Sequence, residues 1–172
     1  MQHFNNINFE RQGNTDNDLR LESNEEVCQA IHDISVTALR SIKIFSPDLE
    51  YHLYNDEQFR QNILKFARGN RYAQIQILVA DITTAVHHGH QLLRLAQQLT
   101  TAMQIRLTPE DYIETGLSFM LVDQSDFIFK PASSNPFAIH SNCKNRINKL
   151  LEFFTPAWEQ AVLAPQSQQF HI

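Results

Sequence analysis

The chain has 172 residues, of which 42% are hydrophobic and 19% charged, enough for one domain with its own core and too apolar for a disordered chain. Its 14 basic and 19 acidic residues leave a net charge of −5, which argues against broad charge-driven binding of nucleic acid. Cys28 and Cys143 are too few for a disulfide framework and lack metal-ligand spacing; both sit in helical contexts and are expected to be buried free thiols.

Residues 1–18 are rich in Asn, Gln and Asp and read as a flexible leader. Met1-Gln-His-Phe-Asn-Asn lacks the basic start and apolar run of a secretory signal, and the apolar runs elsewhere are far short of a membrane span. A cytoplasmic location and no membrane contact are the expectation. A short strand starts at Leu19. Ser23-Asn-Glu-Glu26 is a capping box, and Val27, Ala30, Ile31, Ile34, Ala38 and Leu39 keep helical spacing to about Arg40.

Ile42 to Phe45 is a short strand stopped by Ser46-Pro47-Asp48. Asp56 caps a helix carrying Phe59, Ile63, Leu64 and Phe66, and Gly69 stands where a left-handed terminating residue is wanted. Ala73 to Val79 begins by alternating and becomes wholly apolar, as an interior strand does. Asp81 turns the chain into a helix from about Thr83 to Leu99, and Met103 to Leu107 is the next strand. Gly116 to Asp123 and Phe127 to Lys130 form a hairpin. Pro131 to Pro136 is a loop, a helix covers about Ser141 to Phe154, and a second short one starts after Pro156 near Trp158. Residues 19–164 are therefore expected to form one α/β domain, a mixed but mostly parallel sheet flanked by helices, with a polar tail over 165–172.

In this arrangement of elements the chain resembles one half of the phospholipase D superfamily. The strand-and-turn Ile42 to Asp48, the strand Ile75 to Val79 and the strand Met103 to Leu107 ahead of the hairpin carry the likeness. The runs Ile44 to Leu49, Gln76 to Asp81 and Gly89 to Leu95 are similar to an uncharacterised proteobacterial domain of this type, often attached to an acetyltransferase. The superfamily signature is His, any residue, Lys, four residues, Asp. Setting Asp123 as its aspartate places Gly116 and Ser118 at the histidine and lysine positions. No His-x-Lys occurs in the chain. The resemblance thus implies a fold without the nucleophilic imidazole and the ammonium that phosphoryl transfer needs. It also implies pairing of two copies into a homodimer, as single halves do.

Several residues could serve another chemistry. Asp48 and Asp81 each follow a strand, and ligands of such sheets gather beyond the strands' carboxyl ends. Tyr112 follows the third strand, and His90 and Arg94 lie in the run shared with the similar domain. Together with Asp123 they are the candidates for binding an anionic small molecule or a protein partner. Turn and cap roles compete for Asp48 and Asp81. His87 and His90, three apart on a helix, could join Asp81 around a metal in a hydrolase, although tight ligand spacing is missing and no cofactor is expected. Lys144, Arg146 and Lys149 on the last helix offer a third reading, a nucleic-acid-binding module, against which stands a solvated basic face. Arg106 could approach an anion, while Phe153, Phe154 and Trp158 read as core.

Overall fold

The computed structural model describes residues 18–113, 116–131 and 137–165, so all but the last residue of the proposed leader, most of the Pro131 to Pro136 loop and most of the tail lie outside the described residues. In chain order these form β1 (Leu19–Leu21), α1 (Asn24–Ser35), β2 (Ser41–Ser46), α2 (Tyr51–Tyr54), α3 (Glu57–Gly69), β3 (Gln74–Val79), α4 (Thr83–His87) and α5 (Gln91–Gln98). There follow β4 (Met103–Leu107), a 3-10 turn (Glu110–Tyr112), β5 (Ser118–Val122), β6 (Asp126–Lys130), β7 (Ala138–Ser141), α6 (Lys144–Gln160) and β8 (Val162–Leu163).

The eight strands make one sheet in the order β1-β7-β6-β5-β2-β3-β4-β8. Parallel pairing is confined to β2–β3 and β3–β4, the strands joined through helices; every other pairing is antiparallel. The sheet is mixed as expected, but the hairpin, β7, β1 and β8 make it less parallel than the strand–helix alternation implied. β7 and β8 are too short, at four and two residues, to show a periodic pattern of their own.

Alternation of side chains divides the core. Ile42, Ile44, Ile75, Ile77, Met120 and Ile128 face α1, α3 and α5, whereas Phe45, Leu78, Phe119, Leu121, Phe127 and Phe129 face α6. Phe45 stacks on Phe119 at 5.5 Å between ring centroids and meets Phe153 edge-on at 5.1 Å, which anchors α6 across the second face.

Four expectations change. α1 stops at Ser35, where the Ser35 and Thr37 hydroxyls donate to the carbonyls of His32 and Ile34 and compete with helical pairing. Gly69 ends α3 without a left-handed backbone; the Asn70 side chain closes the turn instead, donating to the Leu39 carbonyl and accepting the Tyr72 N–H. α6 runs on through Pro156, held by Phe153, Phe154 and Ala157 in the core. Cys28 and Cys143 are free but half-buried, Cys28 donating to the His52 carbonyl.

Candidate functional site

The carboxyl end of β2 is where the sheet's connectivity turns, with β3 on one side and β5 on the other, the position at which α/β sheets take ligands. Here the chain makes a polar hook. The Ser46 hydroxyl accepts the Leu49 N–H at 3.0 Å, and the Asp48 carboxylate accepts the Glu50 N–H at 2.9 Å. Leu49 and Glu50 both take positive φ, 68° and 29°, which side chains of this size adopt only when held.

Two bonds hold them. His90 is fully buried; its Nδ1 accepts the Leu92 N–H at 3.2 Å, capping α5, so Nε2 carries the proton and donates to the Leu49 carbonyl at 3.1 Å. Burial pulls the imidazole pKa below its ordinary value, opposed in part by the bond to Leu49 and by Asp48. The second bond is ionic. Lys130 Nζ lies 2.8 Å from Glu50 Oε1, both side chains 2% exposed, and the Ser46 hydroxyl reaches the other carboxylate oxygen at 3.4 Å. Tyr54 lies close enough for Glu50 to act on it; burial first, then Glu50, raises its phenol pKa well above the usual value.

The hairpin register explains how Lys130 arrives. The Val122–Asp126 pair leaves a three-residue turn and sets Ser118 opposite Lys130. Ser46 and Ser118 stand one step beyond the Phe45–Phe119 pair and are both buried. A cation therefore stands across the ladder from Ser118, but Glu50 neutralises it. This cluster of Ser46, Glu50, Ser118 and Lys130 is not evident from spacing, since a lysine ending the apolar run Phe127-Ile-Phe looks like an exposed strand end. Counting the ladder back from the turn would have found it.

The candidate residues converge only in part. Asp48 and His90 meet on the hook, and Asp81 lies on the adjoining strand end, exposed, accepting the Thr83 N–H at 2.8 Å. The side-chain and backbone hydrogen bonds of Thr83 hold the Asp81 carboxyl below its usual pKa. Tyr112 is turned to the other face, buried against Phe153 with its hydroxyl accepting from Gln160 at 3.3 Å. Arg94 is exposed on α5, on a cavity of about 360 Å³ shared with Glu57, Arg60 and Gln91. Asp123 sits at the opposite edge of the sheet, with φ 53°, and its two oxygens accept the N–H groups of Leu39, Arg40 and Ser41 at 2.8–2.9 Å.

The helix expected from Thr83 to Leu99 is broken. Gly89 takes φ 62° and His90 starts α5 afresh, so His87 and His90 do not share a helix face. Among the described residues no three His, Cys, Asp or Glu side chains are grouped to hold a metal. The basic face expected on α6 is also dispersed. Arg146 turns inward to pair with Asp18, and Lys144 donates to the Gln124 carbonyl at 2.8 Å. Arg106 lies 4.3 Å above the Trp158 ring and donates to the Trp158 carbonyl. No helix among the described residues is long and apolar enough to cross a membrane.

The mixed eight-stranded sheet with helices on both faces is a phospholipase D-like fold. Residues 23–170 match the family model described as "Domain of unknown function (DUF7931)", and the chain belongs to that family. No curated protein matches it. Among solved structures it is similar to TrmBL2, an archaeal chromatin protein described as showing a novel mode of DNA binding, with TM-score 0.65 and 13% identity over 88% of this chain and 54% of that one. It is similar to NucT from Helicobacter pylori, with TM-score 0.61 and 10% identity over 86% of this chain and 98% of that one. It is also similar to phosphatidylserine synthase of Haemophilus influenzae Rd KW20, with TM-score 0.58 and 12% identity, covering 87% of this chain and 40% of that one. The chain thus spans about half of the chromatin protein and less than half of the synthase. At these identities the likeness establishes the fold.

Proposed function

We propose that this is a non-catalytic phospholipase D-like module that binds a ligand or a protein partner, with the signature histidine and lysine replaced by Gly116 and Ser118. The observation that carries the reading is the Glu50–Lys130 pair. The lysine opposite Ser118 would be placed to hold a phosphate, but its charge is satisfied by a carboxylate 2.8 Å away in a dry environment. The imidazole of this edge, His90, has both nitrogens in hydrogen bonds and serves the backbone. Among the described residues of this edge, neither the imidazole nor the buried lysine is left free for covalent phosphoryl chemistry. Asp48 and Asp81 remain exposed at the rim and are the residues through which a partner would be read. Within this reading, the module is cytoplasmic and pairs as a homodimer.

Metal-assisted hydrolysis would require Asp81, His87 and His90 on one ion, and the break at Gly89 weighs against it. The test is turnover of a phosphodiester such as bis-p-nitrophenyl phosphate by the purified chain, with and without chelator. The expected rate equals that of buffer, and chelation leaves the melting temperature unchanged. Turnover abolished by Asp48→Asn or Asp81→Asn would overturn the proposal.

A further inference from the structure

The opposite, amino end of the parallel strands gathers several basic side chains. Two adjoining cavities, of about 260 and 530 Å³, share Leu39 and Asn70 as walls. Arg40 and Lys43 line the larger and Lys65 the smaller. Among the described residues none of these three forms an ion pair, nor does Arg68 beside them on α3. The carboxylate at this edge, Asp123, has its oxygens taken up by three backbone N–H groups. In a chain of net charge −5, this gathers cations around a concave surface.

One side chain gives the surface a second character. Tyr72 lines the larger cavity and is 69% exposed, with the Arg71 guanidinium 4.5 Å from its ring centroid. The guanidinium lies against the ring and also donates to the Tyr72 hydroxyl, and most of the side chain remains in solvent. A cation-backed aromatic beside unpaired lysine and arginine is the arrangement that stacks an unpaired base while neighbouring cations hold phosphates. A cavity of 530 Å³ is also of the size that takes a single nucleotide-sized group.

The geometry points to a single-stranded nucleic-acid site at the amino edge of the sheet, with a base stacked on Tyr72 and phosphates held by Arg40, Lys43 and Lys65. This differs in place and residues from the rim of Asp48 and Asp81, and does not rest on how that rim is used. Burial lowers the Lys43 pKa, Asp123 opposing the effect, so a phosphate settling there would relieve a half-dehydrated ammonium.

The test is fluorescence anisotropy of the full chain with a labelled oligothymidylate of about 12 nucleotides, titrated over a range of salt. With three phosphates held, log affinity should fall with log salt at a slope of about −2. Tyr72→Ala should weaken binding roughly 5- to 100-fold with the slope unchanged, since stacking rather than charge is lost. Lys43→Gln should reduce the slope by about 0.7. Asp48→Asn with Asp81→Asn should leave affinity unaltered. Tyr72 is exposed, so its variant should melt with the parent chain; Tyr72→Trp, which keeps a stacking ring, should retain binding. No binding at low salt, an unaffected Tyr72→Ala variant, equal competition by an oligoglutamate peptide, or loss of binding in the Asp48/Asp81 variant would each overturn the assignment.

Discussion

Lys130 and Glu50 are eighty residues apart in the chain and share one ionic hydrogen bond of 2.8 Å, with almost no solvent on either side chain. Removing one partner strands the other charge in a medium that solvates it poorly, whereas removing both does not. Glu50→Gln should therefore cost roughly 3–5 kcal/mol, and Glu50→Leu combined with Lys130→Met should recover most of that loss. Urea unfolding of Glu50→Leu, Lys130→Met and the double variant measures the coupling; simple additivity would contradict it.

His90 gives the protein an acid-sensitive stability. Its folded pKa lies below the ordinary value near 6.5, so the unfolded chain binds the extra proton first. Stability should fall as pH drops through about 6.5 and level off below the folded value. Asp81, shifted downward from an already acidic range, contributes only at lower pH. Besides Asp48, the groups that face the imidazole include the Tyr51 ring at 5.7 Å. His90→Asn retains an N-cap acceptor but lacks the titration, and should flatten the slope below about pH 6.5 in thermal melts.

Asp123 ties the hairpin to the strand that starts beside it by accepting three consecutive N–H groups. Asp123→Ala should cost roughly 2–4 kcal/mol. Asp123→Asn, which tolerates the positive φ and keeps one acceptor, should cost about half as much. Equal losses would mean that the amides find water as readily as a carboxylate.

Gly89 sits at φ 62° between α4 and α5, and a Cβ there would meet the Arg94 guanidinium at 3.2 Å. Gly89→Ala should destabilise by about 1–2 kcal/mol, chiefly through the backbone. A neutral result in denaturant unfolding would show that α4 and α5 can join into one helix.

The parts of this fold legible in the sequence are those with long or punctuated patterns. Ser23 and Asp56 cap where expected, accepting the N–H groups of Glu26 and Phe59, and the apolar runs of β2, β3, β4 and the hairpin all pair into the sheet. The break at Gly89 was hidden because Val86, Leu92, Leu93 and Leu95 keep a helical period across it, and a period says nothing about one left-handed residue. The site was harder to read. Asp48, Asp81 and Tyr112 all follow strand ends, but Tyr112 turns under the sheet and only Asp48 and Asp81 share an edge. The buried pair escaped because Glu50 lies in an irregular turn and Lys130 ends an apolar run, where charge ordinarily points to water.

The outermost strands, β1 and β8, have three and two residues. A rim that short presents too few open amides and carbonyls to template another chain. Among the described residues, growth of the sheet by lateral addition is thereby disfavoured at both margins, which leaves the side chains of the helices and loops as the surfaces through which copies would associate.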